Sequence, residues 1–501
     1  MGLRTCFRSI PKLGLAAGCL LSWGIYSPIQ AAQEISVRNG APPLTDRLAR
    51  LINGSLLDAD VPGVAVAVVT DGRFSWQGAF GVTNAKSRTP VTDQTVFEAA
   101  SLSKPVFAYA VLQLVNQGLL SLDTPLVNYL DDPDTDDPRG RLITARHALS
   151  NTSGFPHWRP RYGPLEMAFN PGERFSYSGE GYAFLQRVVE HLTGKPLNTF
   201  MEELVFKPLM MTNSSYIWRG SYERTKATGH GIVGTPNVRR EPPEADAAST
   251  LHTTAADYAR FLQAIVSRQS ISSGLFDDMV SPQVTLDEGC QICVTHEVRQ
   301  PSTRLSWGLG WGLEMTDRDT TLWHWGDNID MKSFVVVSPR DRSAMVVLTN
   351  GENGLTIMPT LVQEFMGRSH PAFEWLQVPE PTPPVRRLHR NLITRGEDAL
   401  RDYSAGRQLL AEKERVSEAN LVDLAQTLIK EERVTLAIAV FRLLASDFPL
   451  SVRHLSNLGG AYLLVGDSTR ALATYEKILV IDPSNYTAKN TVSELKAAQR
   501  R

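Results

Sequence analysis

Past residue 378 the chain changes character, and that change limits it to a fold with two separate cores. Pro379-Glu-Pro-Thr-Pro-Pro384 places four prolines in six residues, a composition that makes a stiff, extended spacer. Beyond it Leu421, Leu424, Ala437, Phe441 and Pro449 recur 34 residues later as Leu455, Leu458, Ala471, Tyr475 and Pro483, with Gly459 and Tyr462 in the same frame. A fixed period of that length is a helical unit that buries its apolar face only against its neighbours. Two such units alone make a small stack, so the helices expected over 387–417 and after Asn485 cap it, or the stack docks on the preceding domain. The full length of 501 residues also exceeds the size at which a single core usually stops growing.

The expected organisation is a leader over 1–32, a first globular domain over 33–376, the spacer over 377–386 and a helical domain over 387–501. The leader has a basic start (Arg4, Arg8, Lys12), a mostly apolar run from Leu13 to Tyr26 and a small-residue cleavage site at Gln30-Ala31-Ala32. A membrane-spanning anchor needs about 20 apolar residues, and this run is shorter and rich in glycine. Leu15-Ala-Ala-Gly-Cys19 loosely resembles a lipoprotein box, but the apolar run before Cys19 is short and continues after it. Losing three cations and no acids takes the formal charge from −2 to −5. The expectation is a periplasmic or secreted protein with no membrane span after removal of the leader. A charge this close to zero carries no footprint for nucleic acid.

Cys6 and Cys19 leave with the leader, so Cys290 and Cys293 remain. In an oxidising compartment this C-x-x-C pair is read first as a loop disulfide, second as free thiols and last as part of a zinc site with His296, since no fourth ligand cluster accompanies it. No metal and no cofactor is implied by the chemistry below.

Within the first domain Thr45–Leu57 has helical periodicity. Val64–Val69 alternates as a strand, and Asp71-Gly72 is a hairpin turn returning through Arg73–Phe80. Helical segments and Pro/Gly loops, including Tyr182–Leu192 and Thr254–Ser267, fill the middle. Strands return at Thr320–Trp325, Lys332–Ser338 and Ser343–Asn350, with Thr356–Met366 helical after them. Strands at both ends with a helical insert predict an α+β domain, an antiparallel sheet flanked by helices plus a helical subdomain. The crevice between the two parts is the expected ligand site.

Chemistry enters with Ser101 and Lys104, three residues apart at the head of an apolar helical run and therefore on one face. By itself S-x-x-K is a weak signal. Tyr177, in Phe175-Ser-Tyr177-Ser-Gly179, and His324, in Trp323-His324-Trp325-Gly326-Asp327, supply the context. A serine hydroxyl needs a base within hydrogen-bond reach, and the candidates are Tyr177 with its phenol helped by the Lys104 cation, or Lys104 directly. Phe97-Glu-Ala-Ala-Ser-Leu-Ser-Lys104, Leu149-Ser-Asn-Thr-Ser-Gly154, Asn170-Pro-Gly-Glu-Arg-Phe-Ser-Tyr-Ser178, Trp307-Gly-Leu-Gly-Trp-Gly312 and His324-Trp-Gly326 together resemble the serine β-lactamase and penicillin-binding family, nearest to its class C, esterase and D-aminopeptidase branch. The C-terminal period resembles the tetratricopeptide repeat.

The first resemblance implies that Ser101 is acylated, Lys104 helps it, Tyr177 is the general base and His324 takes the place of the lysine in the family's K-T-G strand. It also implies an oxyanion hole made by the backbone N–H groups of Ser101 and Asp327. Two departures bear on substrate. Gly179 stands where the family commonly has the Asn of Tyr-x-Asn, and a largely neutral histidine replaces a cation. Asp327 and Glu180 add negative charge near that place, with Trp325 and Gly326 lining it. The expectation is cleavage of an ester or amide in a small-molecule or peptide-like acyl substrate, rather than efficient β-lactam hydrolysis. The competing readings are a class C-like β-lactamase, a penicillin-binding enzyme that deacylates slowly, and a non-catalytic scaffold that binds a protein or peptide through its repeats.

Overall fold

The computed structural model describes residues 43–131, 135–160, 164–294, 300–379, 382 and 384–499. The expected leader, with Cys6 and Cys19, lies outside the described residues, as does His296. Helix α1 (Leu44–Ala59) leads into strand β1 (Gly63–Thr70). Asp71 and Gly72 both have positive φ, 52° and 75°, as a two-residue type I′ turn requires, and β2 (Arg73–Asn84) returns beside β1. Two short strands follow, β3 (Thr89–Pro90) and β4 (Phe97–Glu98). A 3₁₀ turn over Ala100–Leu102 then enters α2 (Ser103–Asn116).

The helical insert comprises α3 (Ala145–Leu149), α4 (Gly179–Thr193), α5 (Leu197–Met201) and α6 (Tyr222–Thr225). Strand β5 (His252–Thr253) pairs with β4 and precedes α7 (Ala255–Val266) and α8 (Ser273–Met279). The sheet then resumes with β6 (Val284–Asp287), β7 (Pro301–Trp307), β8 (Gly312–Met315), β9 (Thr320–Asp327), β10 (Lys332–Ser338) and β11 (Ser343–Thr349). Its order is β3-β2-β1-β11-β10-β9-β8-β7-β6, with antiparallel pairing throughout.

Both faces of the central strands are covered. Ala65, Ala67 and Val69 of β1 join Val335, Val346 and Leu348 in a core shared with α2, α4 and α7. Val64, Val66 and Val68 join Phe334, Val336 and Val347 in a second core closed by α1 and by α9 (Met358–Met366) and α10 (Ala372–Trp375). Period-two alternation therefore divides one apolar run between two cores. Strands β6 to β8 have no counterpart in the sequence reading, because they are short and lack a sustained alternation of apolar and polar residues.

The C-terminal part is helical throughout its described residues: α11 (Pro384–Arg395), α12 (Glu397–Gly406), α13 (Glu418–Lys430), α14 (Val434–Asp447), α15 (Val452–Leu464), α16 (Ser468–Ile481) and α17 (Tyr486–Gln499). Helix α11 begins at Pro384, inside the segment read as spacer, since proline in a first turn gives up only an N–H that has no intrahelical partner. Helices α13, α15 and α17 begin at residues 418, 452 and 486, and α14 and α16 at 434 and 468, so the 34-residue step of the sequence is also the step between helix starts. Leu421, Leu424, Ala437 and Phe441 are buried in the helical core, and their counterparts Leu455, Leu458, Ala471 and Tyr475 are buried too. This part is not detached. Arg386 of α11 is fully buried and pairs with Asp60 at the end of α1, Arg390 Nη2 reaches Asp60 Oδ1 at 3.1 Å, and Val233 of the insert is part of the helical core.

Gly326 is the point at which the sheet meets the turn carrying Ser101. A Cβ there would stand 2.1 Å from Ser333 Oγ and 2.4 Å from the Ala99 carbonyl, while Ser333 Oγ itself donates to that carbonyl at 2.9 Å. Gly326→Ala is expected to destabilise the protein by about 1–3 kcal/mol through overpacking against backbone, read as a lower urea midpoint with an unchanged m-value.

Candidate active site

Ser101 and Lys104 meet as their spacing requires. The segment before them is held by Ala99 N–H donating to Leu251 O at 2.8 Å and by Ser103 Oγ, which donates to Ala100 O and accepts from Leu251 N–H at 3.0 Å. Ala100 has φ 51°, a left-handed conformation that a non-glycine residue keeps only where its surroundings impose it. From this turn the Ser101 hydroxyl is 3.2 Å from Lys104 Nζ. Lys104 is fully buried and donates also to Ala248 O at 2.8 Å. Burial disfavours its charged form and pushes its pKa down to about 7, against the opposing attraction of Asp246.

Tyr177 comes from a different part of the chain and is fixed by its backbone. Its N–H donates to Gln291 O at 2.9 Å, Ser176 N–H to Asn151 O at 2.9 Å and Ser178 N–H to Asn151 Oδ1 at 3.1 Å. Ser178 then caps α4 through Gly181 N–H at 3.0 Å. Gln291 lies between Cys290 and Cys293, which form a disulfide with Cα atoms 5.7 Å apart; Cys293 N–H donates to Ser176 Oγ at 3.1 Å. This small loop therefore supports the tyrosine directly. Lys104 Nζ lies 4.6 Å from the centre of the Tyr177 ring. The Tyr177 hydroxyl is buried without a hydrogen-bond partner among the described residues. Burial raises the phenol well above its usual value, against the opposing effect of the nearby Ser101 hydroxyl. Burial thus opposes the phenolate of Tyr177 and favours the neutral amine of Lys104.

His324 is fully buried on β9, with its ring centre 6.0 Å from that of Tyr177 and 5.3 Å from that of Trp307. Its Nδ1 lies 2.7 Å from Trp325 O. A carbonyl only accepts, so Nδ1 carries the proton and the unpartnered Nε2 is an acceptor. Burial, helped by nearby Lys104, pushes the imidazole down to about 3. This position holds a neutral ring and not a cation. Trp325 is buried against Tyr177, Trp323 and Trp375, which makes it packing more than lining.

At the end of β9, Asn328 N–H donates to Met331 O at 3.1 Å, and Lys332 stands opposite Asp327. Hydrogen-bonded and non-hydrogen-bonded pairs alternate along an antiparallel ladder, so Asp327 occupies a non-bonded pair and its N–H points away from β10. Strand β8 pairs with β9 only as far as Trp323, leaving that edge open. The Ser101 N–H, in the first turn of its helix, is likewise without an intrahelical acceptor.

The negative charges expected to repel anions are compensated. Glu180 is buried and accepts from Arg159 N–H at 2.8 Å, Nε at 2.9 Å and Nη2 at 2.6 Å, and Asp327 pairs with Lys332.

Sequence reasoning missed the ionic cluster behind the site. Glu98 Oε1 accepts from Lys226 Nζ at 2.6 Å, and Oε2 accepts from Asn328 Nδ2 at 3.0 Å and lies 3.2 Å from Arg240 Nε. Arg240 reaches on to Asp330. Glu98 precedes Ser101 by three residues and Asn328 follows Asp327, so one carboxylate ties the two segments together. Glu98 was visible in the quoted Phe97-Glu text, but its partners come from loops over 120 residues away.

A buried lysine within reach of a serine hydroxyl, on an antiparallel sheet flanked by helices, is the arrangement of a serine hydrolase. The family model for β-lactamase matches residues 46–361, and the chain belongs to the β-lactamase family. It is 28% identical over 331 residues to penicillin-binding protein 4 of Amycolatopsis lactamdurans, covering 61% of this chain and 85% of that one. It is also 28% identical over 207 residues to esterase EstB of Burkholderia gladioli, covering 35% of this chain and 53% of the esterase. Among solved structures, a β-lactamase/D-alanine carboxypeptidase from Pseudomonas syringae superposes with a TM-score of 0.56 at 16% identity, covering 66% of this chain and all (100%) of that one.

Burial raises the Glu98 carboxyl, but Lys226 and Arg240 together outweigh it and hold the group below its ordinary 4.5. A carboxylate whose folded pKa is depressed contributes stability above its unfolded value, lost as pH falls through the folded one. Glu98→Gln leaves the Lys226 ammonium, fully buried as a side chain, without its counter-charge and is expected to cost about 3 kcal/mol at pH 7. In urea titrations across pH 3–7 the variant should show a smaller acid-side loss than the wild type.

Proposed function

We propose that the protein is an exported hydrolase that cleaves neutral carboxylic esters through a Ser101 acyl-enzyme. The observation that carries this reading is the Lys104 amine, buried and 3.2 Å from the Ser101 oxygen. Neutral Lys104 takes the Ser101 proton as the oxygen attacks the carbonyl carbon. The developing oxyanion is held by the N–H groups of Ser101 and Asp327. The proton passes, with Tyr177 at the junction, to the departing alkoxide as the ester C–O bond breaks. Water then adds to the acyl-enzyme by the reverse route, giving up a proton to the same base and releasing the carboxylic acid.

The substrate class follows from charge. Among the described residues around Ser101, Lys332 is engaged by Asp327, Arg159 by Glu180, and Lys226 and Arg240 by Glu98, while His324 is neutral. None of these is left over to hold the carboxylate of a β-lactam or a peptide C-terminus, which supports the ester reading over a β-lactamase. The similarity to an esterase is in keeping with it. The similarity to a penicillin-binding protein favours the second reading, an enzyme that acylates with penicillin and deacylates slowly.

The same proposal takes 1–32 as the export signal, 33–376 as the catalytic domain and the helices from 387 onward as a tetratricopeptide stack that binds a protein or peptide partner. No helix among the described residues is long and apolar enough to cross a membrane.

Two measurements test the chemistry. A panel of chromogenic esters, D-amino acid amides and β-lactams should give turnover of esters well above nitrocefin, with Ser101→Ala and Lys104→Arg each lowering kcat/KM by about 10³-fold or more. A long-lived penicillin adduct seen by mass spectrometry would instead select the penicillin-binding reading, and ester turnover surviving in Ser101→Ala would end the proposal. The base must be deprotonated to work, so kcat/KM should fall as pH drops through about 7. A profile flat from pH 5.5 to 9 would remove Lys104 from that role.

A further inference from the structure

We propose that Trp158 sets the substrate class of this hydrolase, confining it to esters with plain, unsubstituted acyl chains and excluding acyl groups that carry an amide close to the carbonyl; the inference rests on Ser101 being the nucleophile. The starting point is Ser178, which is extended at φ −132° and ψ 116°, so positions 177 and 179 face the same side. Tyr177 faces Lys104 and hence the Ser101 cleft. Position 179 lies on that same side of the extended Ser178.

No side chain stands at Gly179, yet the space is taken. A Cβ built there would lie 2.6 Å from Trp158 Cζ3, 2.8 Å from Cη2 and 2.8 Å from His157 O. A side chain at 179 and the indole in its present place exclude each other. The His157 ring bridges the two aromatics, 5.3 Å from Tyr177 and 5.0 Å from Trp158. Burial, together with the nearby Lys104 cation, pushes it down to about 4, so it too is neutral at pH 7. The wall beside the nucleophile is therefore a continuous uncharged aromatic surface, ending in a tryptophan that remains 43% exposed.

The backbone of this wall has no donors to spare. The N–H of Tyr177 is held by Gln291 O at 2.9 Å, that of Gly179 by His157 O at 2.8 Å and that of Ser178 by Asn151 Oδ1 at 3.1 Å. An amide lying along 177–179 would lose its water and find no backbone N–H of that segment for its carbonyl, and buried polar groups left unpaired are strongly disfavoured. A methylene chain has nothing to lose there and gains contact with the indole.

The test compares kcat/KM for p-nitrophenyl pentanoate with that for the p-nitrophenyl ester of N-acetylglycine, whose acyl chain has the same length but contains an amide. Each value is divided by the ester's rate of alkaline hydrolysis. The full chain should favour the pentanoate by about tenfold or more, Trp158→Ala should move the ratio about tenfold toward the acetylglycine ester, and Trp158→Phe should restore most of the preference. Each ratio is internal to one preparation, so partial loss of active enzyme does not enter it, and Trp158→Leu carries the same comparison should the alanine variant fail to fold. A ratio equal in wild type and Trp158→Ala, or a wild type that favours the acetylglycine ester, overturns the assignment of Trp158. Absence of any Ser101-dependent turnover overturns the ester-hydrolase reading itself, and the inference with it.

Discussion

An ammonium removed from water beside an alcohol is the constraint on which the rest of this site depends. In solvent a lysine at pH 7 is a cation and useless as a base, and burial is what makes the neutral amine accessible. The burial has a structural cost, since Lys104 must still satisfy its hydrogens. It does so on Ser101 Oγ and Ala248 O, and Asp246 holds the Ala248 segment by accepting from Ala248 N–H at 2.7 Å. The helical insert therefore supplies part of what holds Lys104 and is not merely a cover over it.

Two independent supports hold the Ser101 turn and the end of β9 in register. One is steric: Gly326 lets β9 come against the Ser101 turn at a distance no side chain permits. The other is electrostatic: Glu98 bridges the segment before Ser101 to Asn328, one residue past Asp327, while two cations keep it ionised. A displacement of about 1 Å in either segment is enough to weaken a preorganised site substantially, which gives a reason for building a buried ionic cluster where an apolar one would be at least as stable.

The tyrosine illustrates a different economy. Its position depends on Asn151 from one loop and on Gln291 from another, the latter pinned by the Cys290–Cys293 disulfide. Packed against Trp307 and Trp325, it is buried. The same burial that lowers the pKa of Lys104 raises that of Tyr177, because desolvation opposes whichever form is charged: the ammonium of one and the phenolate of the other.

Much of this was readable along the chain. The spacing of Ser101 and Lys104 on one helical turn, the Asp71-Gly72 hairpin, the strands Lys332–Ser338 and Ser343–Thr349 and the 34-residue step of the C-terminal helices are all local patterns, and local geometry is what periodicity and turn chemistry report. Strands β6 to β8, the start of α11 inside a proline-rich segment, the compensation of Glu180 by Arg159, the cluster around Glu98 and the indole of Trp158 over Gly179 were not. Each joins residues far apart in the chain or overrides a local preference, and burial, which decides whether a lysine is a base or a cation, is a property of everything packed around it. By itself the sequence determined which side chains were available for chemistry and the elements that carry them; only the tertiary structure decided which of them are charged, which are paired and which face the substrate, because solvation and pairing belong to the assembled surroundings and not to the chain.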